Sequence, residues 1–182
     1  MGCLELKNVI LDQHLLSRVE ELYYNSFPPE ERRPWNSVKS LLKREDIQYK
    51  IEVIQQNGKF VGFISSWDFG SFCYVEHFAV ESSVRGNGIG AAAISQFVAK
   101  SQKGVVLEVE LPQCGEMAQR RIGFYSRNGF DVHADFEYVQ PSYGEGLPSV
   151  PMLLMSANMG DDLKISVVAK TILRFVYGVK KD

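Results

Sequence analysis

Hydrophobic positions in the first part of the chain recur every three or four residues. Leu15, Leu16, Val19, Leu22 and Tyr23 form a stripe that predicts a helix over 12–26, halted by the consecutive prolines of "FPPEERRPW". A second, shorter helix is expected over 37–43. The period then changes to two. "KIEVIQQNGKFVGFISSW" reads as two β-rich runs turning at Asn57-Gly58, a dipeptide that accepts the positive φ of a tight hairpin. "FCYVEHFAV" is apolar on both faces apart from Glu76 and His77, as a strand covered on both sides should be. An Ala-rich helix over 88–100, a strand "GVVLEVEL" and a helix over 116–128 stopped by Gly129 come next. "FDVHADFEYV" and "VPMLLMSA" predict two more strands around the Gly/Pro/Ser-rich loop 141–150. Asp161-Asp162, the spacing of Ile165, Val168, Ile172 and Phe175, and a stop at Gly178 predict a last helix over about 162–177.

This order describes a mixed α/β (α+β) protein, and 182 residues suit one domain over 1–182 with its core at about 12–157. Composition mainly excludes. A net charge of -2 with 45% apolar residues gives no pull toward nucleic acid or acidic membrane. Cys3, Cys73 and Cys114 lack CxxC spacing and cannot all pair, which points to reduced thiols, a cytoplasmic setting and no metal site. No apolar run approaches the roughly 20 residues of a membrane helix. "MGCLEL" begins like a myristoylation signal but carries Leu6 where Ser or Thr belongs.

The chemistry concentrates in "VRGNGIGAAAI", residues 84–94, where three glycines precede a helix. A helix N-terminus with bare N–H groups attracts anions, and missing side chains let a diphosphate approach. A glycine-rich turn that only reverses the chain is the plain alternative. Gly86 to Ala91 also satisfies the dinucleotide pattern G-x-G-x-x-G/A, with Glu108 and Glu110 where a ribose-binding acid would sit. Against that reading, five residues separate the strand's last apolar residue, Val80, from Gly86. Too little chain follows for two βαβαβ halves.

At "AVESSVRGNGIGAAAI" the sequence resembles the GNAT superfamily of N-acetyltransferases, whose motif Arg/Gln-x-x-Gly-x-Gly/Ala here reads Arg85 to Gly90. "RRIGFYSRNGF", residues 120–130, is similar to that family's later helix. The resemblance implies a mostly antiparallel sheet whose central parallel pair, "FCYVEHFAV" and "VVLEVEL", splays apart, with helices on both faces and an extra C-terminal helix. It implies acetyl-CoA as cosubstrate. Amides of Arg85, Gly86, Asn87, Gly88, Ile89 and Gly90 would cradle the pyrophosphate, and main-chain groups of Phe78 and Val80 would bond the pantetheine. Ala118 stands where many members place an Asn, which leaves one pantetheine contact in doubt.

An amine acceptor has a pKa near 10.4, so transfer needs a group that accepts a proton and another that assists the departing thiolate. Tyr125 matches the family's phenolic acid. Glu76 is the first candidate for the base: strict alternation would place it with Tyr74, Phe78 and Val80, an apolar setting that raises a carboxylate's pKa. An arginine partner for Glu76 is the competing reading. Glu108 and Glu110 are the alternative bases, and His77, pointing opposite to Glu76, is read as a core histidine. Cys114 has no His nearby in sequence to activate it. Glu30, Glu31, Arg33, Trp35, Tyr138 and Tyr143 either touch the acceptor or belong to solvated loops. The expected function is acetyl transfer to a small-molecule or peptide amine. A catalytically silent CoA-binding module and a nucleotide-cofactor oxidoreductase are the alternatives. The last helix could pair two copies or pack within one.

Overall fold

In a computed structural model the described residues are 3–9 and 12–180, so Met1 and Gly2 of the lipid-anchor reading lie outside them. In chain order these are β1 (Leu4–Asn8), α1 (Gln13–Ser26), α2 (Trp35–Leu42), β2 (Tyr49–Gln56), β3 (Lys59–Asp68) and β4 (Phe72–Val80). The second half adds α3 (Ile89–Ser101), β5 (Gly104–Glu110), α4 (Glu116–Arg127), β6 (Asp131–Val132), β7 (Tyr138–Gln140), β8 (Val150–Ala157) and α5 (Ile165–Phe175). Asp12 caps α1 by accepting from the Leu15 N–H at 3.0 Å, a contact worth about 1 kcal/mol.

The strands form one sheet in the order β1-β2-β3-β4-β5-β8-β6, with β7 also paired to β8. Every pairing is antiparallel except β4 with β5. Two apolar cores cover its faces. α1, α2 and α5 pack on one through Val19, Tyr23, Trp35, Val38, Val168 and Ile172. α3 and α4 pack on the other through Ile89, Ile94, Phe97 and Tyr125.

Four local features depart from the pattern reading. β1 was not legible: five residues with two leucines and no flanking turn signal make a weak strand, and it forms because β2 offers it an edge. "FDVHADFEYV" is two strands, broken where the Phe136 N–H turns back to the His133 carbonyl at 3.2 Å. α5 starts at Ile165, because the Leu163 N–H donates to the Gly160 carbonyl at 3.0 Å and spends residues 160–163 on a turn. Its buried stripe is Val168, Ala169, Ile172 and Val176, with Phe175 turned out at 54% exposure, so the stripe packs within one subunit.

The fourth departure is a β-bulge. Ser65 faces His77 and Ser66 faces Val75, which leaves Glu76 as an extra residue in β4. One inserted residue reverses the alternation beyond it. Tyr74, Glu76 and His77 all reach the α1/α5 face, whereas Phe78 and Val80 pack on the α3/α4 core. The expectation that Glu76 shares a face with Phe78 and Val80, opposite His77, is corrected by this insertion.

Candidate active site

β4 and β5 are bonded from Phe72 with Gly104 to Val75 with Leu107, yet β4 continues to Val80 and β5 to Glu110. The strands part beyond that point. On its other side β4 stays with β3, and the Glu81 N–H donates to the Val61 carbonyl at 2.9 Å. Alternation then turns the main-chain groups of Phe78 and Val80 into the opening. The Val80 carbonyl is taken by Arg85 Nε at 3.2 Å, which leaves the Val80 N–H and both groups of Phe78 for an extended ligand.

At the mouth of the opening the chain turns through Gly86 (φ 83°) and Gly88 (φ 76°), and Gly88 begins α3. A Cβ on either glycine would project into open space and not into protein. α3 has no side-chain cap, so its first N–H groups point outward at the positive end of the helix dipole. The Arg85 N–H instead closes a turn on the Ser82 carbonyl at 3.3 Å, so the cradle runs from Gly86 to Gly90. These donors and the missing side chains fit a diphosphate. A cleft of about 320 Å³ between α1 and residues 81–85 borders the cradle and includes the Arg18–Glu81 ion pair.

α4 brings its own contribution to the α3/α4 side. The Phe124 ring lies 6.3 Å from the Phe78 ring and would meet a Cβ at Gly90 at 3.6 Å. The adjacent Tyr125 is buried, and burial pushes its phenol up to about 12, which keeps it protonated at neutral pH. Ala118 is buried in α4 and offers no polar group.

The opposite side of the opening holds a cluster of carboxylates and phenols. Glu76 Oε1 accepts from Arg33 Nε at 2.7 Å and from the Tyr143 hydroxyl at 3.0 Å, while Oε2 accepts from Trp67 Nε1 at 2.8 Å. Its side chain is 0% exposed. Burial acts to raise its pKa, but Arg33 and these donors win and hold it below the ordinary carboxylate value. The apolar setting expected from the sequence is thus overturned, and the arginine partner is found. Arg33 also donates from Nη2 to the Val176 carbonyl at 2.6 Å, tying the α1–α2 connection to the C-terminal segment. That connection is not a solvated loop: its Glu30 and Glu31 carbonyls accept from Gln140 Nε2 and His77 Nε2, each at 3.0 Å. Burial lowers the pKa of His77, whose Nδ1 lies 3.2 Å from Ser65 Oγ; it is a satisfied core histidine.

Glu108 sits one position beyond the last β4–β5 pair, and its surroundings differ. It accepts only hydroxyl bonds, from Tyr138 on Oε1 at 2.5 Å and from Tyr177 on Oε2 at 2.8 Å. No cation pairs with it among the described residues. Burial pushes it up to about 7, against the hydroxyls of Tyr138, Tyr177 and Tyr74, which hold it down. Glu110 is instead paired with Arg121 Nη1 at 2.6 Å. The structure therefore gathers Glu76, Glu108, Arg33, Tyr138 and Tyr143 in one cluster and places Tyr125 across the sheet from them. Trp67, Tyr74 and Tyr177 belong to that cluster too, and no motif or periodicity singles them out. Among the described residues no group of three or more His, Cys, Asp or Glu could hold a metal ion, and no helix is long and apolar enough to cross a membrane.

Comparison with known proteins agrees with this architecture. A family model for the acetyltransferase (GNAT) domain matches residues 48–132. A solved structure from Bacteroides thetaiotaomicron, described as a "putative acetyltransferase from GNAT family", is 35% identical with a TM-score of 0.87, covering 98% of this chain and 99% of that one. The ribosomal-protein-S18-alanine N-acetyltransferase of Escherichia coli has a similar fold at 17% identity and a TM-score of 0.61, over 90% of this chain and 99% of that one. The Bacillus subtilis (strain 168) "putative acetyltransferase YjbC" is 33% identical over 106 residues, 57% of this chain. The match spans 52% of that curated relative's own length.

Proposed function

This chain belongs to the GNAT family of acetyltransferases, and on that premise we propose that it transfers the acetyl group of acetyl-CoA to a primary amine. The transfer is a direct attack, with Glu108 as base and Tyr125 as the donor to the departing sulfur. The observation that carries this reading is the opening between β4 and β5, which has an N–H cradle at its mouth, a protonated phenol on one side and a hydroxyl-bound carboxylate on the other.

Acetyl-CoA supplies an activated thioester carbonyl. Gly86, Asn87, Gly88, Ile89 and Gly90 hold its diphosphate with main-chain N–H groups, and Phe78 with the Val80 N–H aligns the pantetheine as an added strand. A carboxyl with a pKa of about 7 is close to half ionised at neutral pH, so Glu108 can take a proton from the attacking nitrogen and release it again. Glu76 is enclosed and occupied by Arg33, Trp67 and Tyr143, which suits it to hold the cluster together and not to receive a proton. Tyr125 keeps its proton beside a thiolate whose acid has a pKa of about 8.5, so it lends a hydrogen bond to the developing charge without full transfer.

The test is a thiol-release screen with acetyl-CoA across amines, polyamines, aminoglycosides and peptides, run beside calorimetric titration of acetyl-CoA. Binding with acceptor-dependent turnover is expected. Glu108→Gln should then lower turnover about 10²- to 10⁴-fold, and Tyr125→Phe less, both with cosubstrate affinity nearly intact. Full activity in Glu108→Gln would remove the base assignment, and no acetyl-CoA binding would remove the whole reading.

A further inference from the structure

The groups facing Glu108 come from every side: Tyr74 and Glu76 on β4, Tyr138 on β7, Tyr143 in the loop before β8, and Tyr177 just after α5, with Arg33 behind Glu76. Tyr177 stands apart from the others because it alone follows α5, on a segment that comes after every strand of the sheet. Resting on the reading of Glu108 as base, the geometry points to Tyr177 as a positioning residue, whose hydroxyl holds the Glu108 carboxylate ionised and oriented toward the opening. The active site is then incomplete without the chain's last helix.

Counting protons supports this assignment. A phenol has one hydrogen to give. Tyr143 lies 3.0 Å from Glu76 Oε1 and 3.2 Å from the Tyr177 hydroxyl, so its hydrogen goes to the nearer, charged acceptor. The Tyr177 hydroxyl also lies 3.3 Å from that of Tyr74, and its own hydrogen is committed to the charged acceptor, Glu108, at 2.8 Å. When Glu108 takes up a proton its oxygens lose their charge, and the bonds from Tyr138 and Tyr177 weaken. Both bonds therefore favour the anion. Tyr177 is also well anchored. Val168, Ala169, Ile172 and Val176 bury the helix face beneath it, and the Val176 carbonyl is held by the arginine that holds Glu76. A phenylalanine would fill the same space, so the oxygen is what the cluster uses.

Full-length protein carrying ¹³C at the glutamate carboxyl, with Glu108→Gln to assign the signal, reads the titration directly. Tyr177→Phe should raise the Glu108 midpoint by about one pH unit. At pH 7 the ionised share then falls from about one half to about one tenth, so kcat/KM drops about fivefold, the acid limb moves up by the same unit, and the high-pH plateau and the acetyl-CoA Kd stay put. Arg174→Ala, on the exposed face of the same helix, should leave the midpoint unchanged. If Tyr177→Phe does not fold, 3-fluorotyrosine at 177, a stronger donor of the same shape, should lower the midpoint. An unmoved midpoint in a folded variant overturns the proposal. A midpoint that moves while the acid limb stays would keep Tyr177's hold on Glu108 and remove Glu108 as the base.

Discussion

The two ends of the opening are built in different ways. The cradle at Gly86–Gly90 is five consecutive residues whose main chain does the work, and its shape follows from two positive φ angles and a helix start. The cluster around Glu76 and Glu108 joins residues 30, 43, 67, 69 and 143 positions apart, and side chains do the work. A local backbone device tolerates change elsewhere in the molecule. A long-range network of buried polar groups transmits every loss to its neighbours, because each unpaired group is costly in a dry interior. Cosubstrate binding should therefore be robust to most substitutions, and the chemistry at Glu108 fragile.

Arg33→Met asks the most of that contrast. It strands the fully enclosed Glu76 carboxylate and frees the C-terminal segment, so denaturant unfolding should show a loss of about 3–5 kcal/mol. Adding Glu76→Gln should recover much of it, while the cradle of the folded fraction still binds acetyl-CoA. If Arg33→Met alone is nearly neutral, the cluster is not the fragile end.

Glu108→Gln comes next and acts through pH. Its folded pKa of about 7 stands above the ordinary 4.5, so the stability contributed by Glu108 is complete below about pH 4.5 and is lost as pH rises through 7. Glu76 has the opposite sign: its contribution is present above the ordinary carboxylate value and is lost as pH falls through its lowered pKa. The stability of Glu108→Gln relative to the parent should thus rise between pH 4.5 and 7, by about 3 kcal/mol, and then level off. Thermal melts across that range will show the slope; a flat difference would mean that Glu108 is not strained by its burial.

Changes in the cradle should be smaller in the fold and specific to the ligand. Gly88→Val forces a β-branched residue to φ 76°, costing about 1–2 kcal/mol of stability, and it should weaken acetyl-CoA at least about tenfold by calorimetry. Gly90→Ala is the mildest. Its Cβ would meet Phe124 at 3.6 Å, an ordinary contact, so the free protein should gain at most about 1 kcal/mol while cosubstrate affinity falls. A gain in stability with no loss of affinity would show that the glycine at this position serves neither fold nor ligand.

Much of the fold was legible in the residues: α1, α3, α4, the hairpin at Asn57-Gly58 and β8 follow the periodicities closely. β1 and the division of β6 from β7 were not, since segments of two to five residues carry too few positions for a period to register. In the site, the cradle and Tyr125 stood in recognisable motifs. The face and partners of Glu76 were not legible, because nothing in "FCYVEHFAV" announces a bulge: the extra residue exists only relative to β3.

By itself, then, the sequence determined those features that depend on neighbours in the chain: helix and strand periods, the glycine turn, and the donors a helix start leaves open. Only the tertiary structure decided which carboxylate is bound by a cation and which only by hydroxyls, because Arg33 and Tyr177 reach Glu76 and Glu108 from 43 and 69 residues away. A pKa is set by what surrounds a group in space, at the few ångströms over which charge and hydrogen bonding act. That neighbourhood does not exist until the helices have closed over the sheet.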